Sequence, residues 1–177
     1  MDNTSATPIY RRGWFWALIL VAAIAILGMV AKSQQKTVAR EFDARLSQVI
    51  HGVDACYVNL GDRVSEATGG DLEPLLSAIR ALETYQDAVD RIGEDAATNE
   101  AVLYVGAVRA YAANTRVVAE KIYNFLEQGK AKDYEDYEKY LKKQADIQIN
   151  LGEKRQAFLF SEGWSYDEVA ALYAAEK

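Results

Sequence analysis

The stretch from Trp14 to Ala31, WFWALILVAAIAILGMVA, runs 18 residues without a charge between Arg11-Arg12 and Lys32. Coiled as a helix it rises about 27 Å, close to the ~30 Å hydrocarbon thickness of a bilayer. Three readings compete for it. A cleaved secretion signal has a shorter apolar core followed by small residues before the cut. Here Met29-Val30-Ala31 fits that pattern poorly, and Ala23-Ile24-Ala25 lies inside the run. A type IV pilin spine carries a glutamate at the fifth position after its cleavage glycine, but counting from Trp14, after Gly13, that position is Leu18. The run is therefore predicted to be an uncleaved signal anchor that crosses the membrane once. Trp14, Trp16, Leu18, Leu20, Ile24, Leu27 and Val30 are its expected anchor residues.

The flanks suit an anchor. Arg11, Arg12 and Lys32 can reach the head groups, and Tyr10, Trp14 and Trp16 place amphipathic rings at one interface. Orientation is less marked, because Lys32, Lys36, Arg40 and Arg45 follow the run within the window that the positive-inside rule counts. The short tail with adjacent arginines favours the N-terminus inside and the following domain outside.

The remainder is long enough for one compact domain. Half of the 177 residues are apolar and 2 are proline, which suits long uninterrupted helices. Of the 20 Lys and Arg, 17 follow Ser33, and of the 26 Asp and Glu, 25 do, giving this part a net charge of −8. That sign repels nucleic-acid phosphates and anionic head groups, so no nucleic-acid partner is expected. Cys56 is the only cysteine, which excludes an intrachain disulfide and a thiolate metal cluster.

Apolar residues recur at Val38, Phe42, Leu46, Val49, Val53, Tyr57, Leu60, Val64 and Ala67. Their mean step of about 3.6 is the period of a helix face. One helix is expected through this stripe, with a bend or a close contact at Gly52 or Gly61. Thr68-Gly69-Gly70 ends it, and Asp71 caps a second helix from Leu72 to Ile92 whose inward face is Leu72, Leu75, Ile79, Leu82, Val89 and Ile92, with Gly93 as the stop. Thr98 caps a third, with Val102, Val105, Val108, Tyr111, Thr115, Val118, Ile122 and Phe125 facing inward and Gly129 as the stop. Asp133 caps a fourth, with Tyr137, Leu141, Gln144, Ile147, Leu151 and Phe158 inward. Ser165-Tyr166-Asp167-Glu168 matches a capping box, so a short fifth helix follows, stapled by Trp164.

Short connections force neighbouring helices to run antiparallel. The expected fold is all-α: an N-terminal transmembrane helix continuing into an antiparallel up-down four-helix bundle with a short C-terminal helix. The boundaries are a polar tail at 1–13, the anchor at 14–31, the bundle at 33–161 and the C-terminal helix at 165–176.

Candidate chemistry is sparse. His51, the only histidine, falls near the inward face of the first helix with Asp54 three residues on, and no paired Glu-x-x-His motif accompanies it. Cys56 reads as a small buried hydrophobe. Asp133, Glu135, Asp136 and Glu138 complement a helix dipole and lack the spacing of a calcium loop. No cofactor, metal or catalytic residue is expected. Among the 11 tyrosines, Tyr104 and Tyr111 share one helical stripe and Tyr134, Tyr137 and Tyr140 another. The second set is the candidate interaction surface, because tyrosine suits partly wet interfaces; packing within the bundle is the competing reading.

A single N-terminal span, about 180 residues and a helical bundle, together with Val58-Asn59-Leu60-Gly61-Asp62-Arg63-Val64 in the first helix, resemble the LemA family of bacterial membrane proteins. That family's patch carries a proline absent here, and its aromatic tail has no clear counterpart in Ala157-Phe158-Leu159-Phe160-Ser161. The resemblance implies a membrane-anchored bundle and no settled enzymatic activity. The expected function is that of a non-enzymatic scaffold or accessory subunit at the membrane, whose partners are the lipid bilayer and either another protein or further copies of itself. A ligand-sensing extracytoplasmic bundle signalling through a partner is the alternative.

Overall fold

The computed structural model describes residues 13–68 and 70–175, with side chains from Trp16 onward. The described residues form six helices: α1 (Gly13–Val58), α2 (Leu60–Thr68), α3 (Glu73–Gly93), α4 (Asn99–Gln128), α5 (Ala131–Ser161) and α6 (Tyr166–Ala175). No strand occurs among the described residues. The chain divides into two units, Met1–Val38 and Ala39–Lys177, and α1 contributes to both.

In the first unit, α1 carries Trp16, Leu18, Leu20, Ile24, Leu27 and Val30 with their side chains exposed, Leu27 at 68%. Its most apolar window has a mean hydropathy of 2.1 and no buried residue, and it is long and apolar enough to cross a membrane. Tyr10, Arg11, Arg12 and the side chain of Trp14 lie outside the described residues.

In the second unit, α2 to α6 pack against one another, and residues 39–58 of α1 share their core. Phe42, Leu46, Val49 and Val53 of α1 meet Leu75, Leu82, Val89 and Ile92 of α3, Tyr104, Val108, Tyr111 and Val118 of α4, and Leu151, Phe158 and Leu159 of α5. Helix α4 is buried along most of its length, flanked by α3 and α5. The start of α4 faces the end of α5, where Tyr104 stacks on Phe158 at 5.7 Å, and the end of α4 faces the start of α5, where Phe125 meets Tyr134 at 5.2 Å. These two helices are therefore antiparallel.

Local capping follows the sequence at several ends. Thr98 caps α4, its Oγ1 accepting the Ala101 N–H at 3.2 Å, whereas the N-cap of α3 is Leu72 and not the expected Asp71, whose Oδ1 accepts the Glu73 N–H at 3.0 Å from one residue further out. Gly129 stops α4 in the left-handed region, at φ 66°. The capping box closes in both directions: Ser165 N–H donates to Glu168 Oε2 at 2.7 Å, and Glu168 N–H to Ser165 Oγ at 3.3 Å.

Other expectations are corrected. The stripe after the apolar run is two helices, α1 and α2, interrupted at Asn59. Of the two glycines, Gly52 is the close contact: a Cβ there would sit 2.3 Å from Cζ of Tyr85 on α3, whereas one on Gly61 would meet open space. Val38 is exposed and the buried face begins at Ala39. Val102 is 55% exposed, with Ala101 and Tyr104 buried instead. Each residue turns a helix by about 100°, so the nine residues between Val102 and Tyr111 put them on opposite sides, and the tertiary contacts chose the side of Tyr111. Asp133 does not cap α5, which starts two residues earlier because the chain re-enters a helix directly after Gly129. It lies in the first turn and binds Lys121 of α4 at 3.1 Å. Gln144, Leu151 and Phe158 of the fourth predicted stripe are buried, while Tyr137, Leu141 and Ile147 are half-buried.

Candidate interaction site

The core contains a polar seam between α1, α4 and α5. Arg155 of α5 forms a bidentate pair with Asp43 of α1, Nε to Oδ1 at 2.8 Å and Nη2 to Oδ2 at 2.7 Å, and Tyr104 of α4 donates its hydroxyl to the same carboxylate at 3.0 Å. Arg155 is 6% exposed and Asp43 2%. Burial and the Asp43 carboxylate push the Tyr104 phenol well above its ordinary pKa. Lower in the seam Tyr111 donates to Asp54 of α1 and accepts from Gln148 Nε2 at 3.2 Å. Burial and the Asp54 bond raise its pKa as well. Asn114 donates to Gln144 Oε1 and to the Tyr140 carbonyl, and Gln144 Nε2 donates to Thr115 Oγ1 at 2.8 Å. A charge taken out of water is tolerated only where such partners replace its hydration. The seam is turned inward, its Asp43, Arg155, Tyr104, Asn114 and Gln144 all buried.

The predicted tyrosine stripe lies at the other end of α5 and does reach the surface. Tyr134 is exposed, and its ring meets Phe125 and, at 5.8 Å, Tyr137. Tyr137 is half-buried and, with Leu141, forms one wall of a groove whose other wall is Tyr57, Val58, Leu60, Gly61 and Val64 around the α1–α2 interruption. The groove holds about 310 Å³. Val58 is 76% exposed there. Desolvation raises the Tyr137 pKa. Tyr140 is tied into the α4 pairing through its carbonyl, with the Lys143 ammonium 5.3 Å from its ring centre. The structure thus joins Tyr134 and Tyr137 in one aromatic strip and sets Tyr140 apart from it. Tyr57 and Val58 are additions: the stripe turned Tyr57 fully inward, and the clue to the groove is Gly61 one turn later, which leaves the wall without a side chain.

The remaining candidates are simply placed. His51 is exposed, contrary to expectation, because two residues past Val49 a helix has turned about 200° away from the buried face. Cys56 is buried, and desolvation raises its thiol pKa, which leaves it a poor nucleophile. Asp133 and Asp136 converge on Lys121, at 3.1 and 3.2 Å, and these bonds raise the lysine pKa. No group of three or more His, Cys, Asp or Glu among the described residues is placed to hold a metal ion. No protein-family model, curated protein or solved structure matches the chain.

Proposed function

We propose that this chain is a single-pass membrane protein whose helical unit, an antiparallel up-down four-helix bundle with a short C-terminal helix, works as a non-enzymatic scaffold or accessory interaction subunit. The anchor reading is supported by the exposed apolar side chains of Trp16 to Val30, a surface that water disfavours and lipid covers. The bundle stands outside the cytoplasm, in keeping with the short arginine-bearing tail. Membership of the LemA family belongs to the same reading, and the segment that carries the resemblance, Val58 to Val64, lines the groove.

The observation that carries the interaction role is the groove itself. An exposed valine and a glycine floor beside Tyr57, Tyr137 and Tyr134 combine apolar area with hydroxyls that tolerate water, the mixture found at the centre of protein interfaces. Its occupant is a protein, either a distinct partner or a second copy of the chain. The test is chemical cross-linking in intact membranes with wild-type protein and with Val58→Ser and Tyr134→Ser, both at exposed positions. Wild type is expected to give a discrete adduct that falls about tenfold in either variant while the melting temperature holds, as loss of an interface anchor predicts. A wild-type protein that yields no adduct, or variants that cross-link as well as wild type, would overturn the proposal. Digestion of the bundle by protease added outside intact cells checks the orientation.

A further inference from the structure

Exposed apolar side chains gather at one end of the second unit. The chain enters that unit at Ala39, and Phe42 and Asp43 stand level with Tyr104, near the start of α4, and with Phe158, near the end of α5. Val102 and Leu103 lie in the first turns of α4, Phe160 is next to last in α5 and Tyr166 opens α6, so all four belong to this entry end. Each is exposed, Tyr166 at 71%. Among the described residues of the unit, the other exposed large apolar side chains are Ile149 and, at the far end beside the groove, Val58 and Tyr134. Exposed apolar residues scattered singly are ordinary, whereas several at one end form a surface that water disfavours.

Two further observations bear on what covers it. The first is the tether: seven residues, Lys32 to Val38, join the apolar run to Ala39. They span about 10 Å as helix and at most about 25 Å fully extended, while the polar head-group layer takes up roughly 5–8 Å outside the hydrocarbon. With the run in the bilayer, the entry end is held within that reach of lipid. The second is charge. The charged residues within four positions of these side chains are Glu100, Glu162, Asp167 and Glu168, all acidic. An anionic head group, or the same surface of a second copy, would meet like charge there. A zwitterionic phospholipid instead offers an outermost ammonium, which carboxylates and aromatic faces attract. Phe160, half-buried Trp164 and Tyr166 fall within seven residues around the α5–α6 turn, and tryptophan and tyrosine are the residues that settle at the lipid–water boundary.

We infer that this end of the unit, through Val102, Leu103, Phe160 and Tyr166, rests in the interfacial layer of a zwitterionic bilayer, a membrane contact additional to the span; the inference rests on the anchor reading. Full-length protein in phosphatidylcholine nanodiscs tests it, with Cys56→Ala and one spin label at a time through Leu20→Cys, Leu103→Cys, Ile149→Cys or Tyr166→Cys. The readout is relaxation by oxygen, which partitions into lipid, relative to relaxation by a water-soluble nickel chelate. That ratio is expected to be highest at position 20 and lowest at 149, with 103 and 166 between them and at least about fivefold above 149. Phe160→Ser, at an exposed position, should lower the ratio at 103 about threefold to tenfold with the melting temperature unchanged, and phosphatidylglycerol discs should lower it as well. Ratios at 103 and 166 equal to that at 149, with position 20 in lipid, overturn the inference and leave the anchor standing. A water-accessible label at position 20 overturns both. Spin–spin broadening at 103 or 166 would assign the surface to a second copy, a ratio that rises in phosphatidylglycerol would assign it to anionic lipid, and either overturns the inference.

Discussion

Replacing Asp43 by alanine removes the carboxylate on which Arg155 and Tyr104 both converge. The guanidinium then loses the bidentate carboxylate that faces it from α1, and breaking a buried pair by removing one partner costs about 3–5 kcal/mol in proteins. The same pair on the surface would contribute at most about 1 kcal/mol, so burial decides the size of the effect. The unit spans Ala39–Lys177, and at about 2.1 cal/mol/K per residue its unfolding entropy is roughly 0.3 kcal/mol/K. Asp43→Ala should accordingly lower the melting temperature by roughly 10–17 °C. Urea unfolding followed by circular dichroism should show the same loss as a lower midpoint at constant slope. The paired replacement Asp43→Leu with Arg155→Met removes both charges and refills the space, and it should recover stability to within about 2 kcal/mol of wild type or exceed it. A single-variant loss under about 1 kcal/mol, or a double variant no better than the single, would refute the claim that this pair is desolvated and mutually dependent.

Gly52→Ala places a methyl group against the Tyr85 ring and should cost about 1–3 kcal/mol in a urea titration, recovered by Tyr85→Ala; Gly61→Ala, in open space, should be neutral or stabilising by up to about 1 kcal/mol. Tyr104 and Tyr111 both have raised folded pKa values, so their contribution is complete below the unfolded value near 10 and is lost as pH rises beyond it. Absorbance at 295 nm should show exposed tyrosines ionising first and these two only with unfolding, and a single smooth titration without loss of helicity would contradict their burial.

How much of this was legible beforehand differs from element to element. Thr98, Gly129 and the Ser165–Glu168 box announce their helix ends, because capping is a contract between residues three or four apart. The buried apolar faces of α1 and α3 follow from period alone. On α4 the stripe from Val105 to Ile122 follows as well, but a helix packed on two sides also buries positions that a one-sided stripe leaves out, Tyr104 among them. Arg155 left a trace: the stripe on α5 steps from Leu151 to Phe158, and the missing turn between them is where the arginine sits. Its partner Asp43 left none, because pairing across more than a hundred residues has no local period. Tyr134 and Tyr137 were visible as a candidate surface, but the opposite wall at Tyr57 and Val58 depended on where α1 breaks, and Asn59 is a weak signal for a break.

Asp43 and Asp54 stand eleven residues apart on α1, each held by a tyrosine of α4, at Tyr104 and Tyr111. Eleven residues are close to three full turns, so both carboxylates leave the helix in nearly the same direction at two heights. An apolar ridge can drift one side chain at a time, because a valine for an isoleucine leaves its neighbours serviceable. These positions have no such freedom: any single step strands a charge or a phenol. A lineage carrying this seam can revise it only by compensated pairs of changes, on helices far apart in the gene, and correlated substitution at positions 43, 104 and 155 is the trace that this coupling would leave.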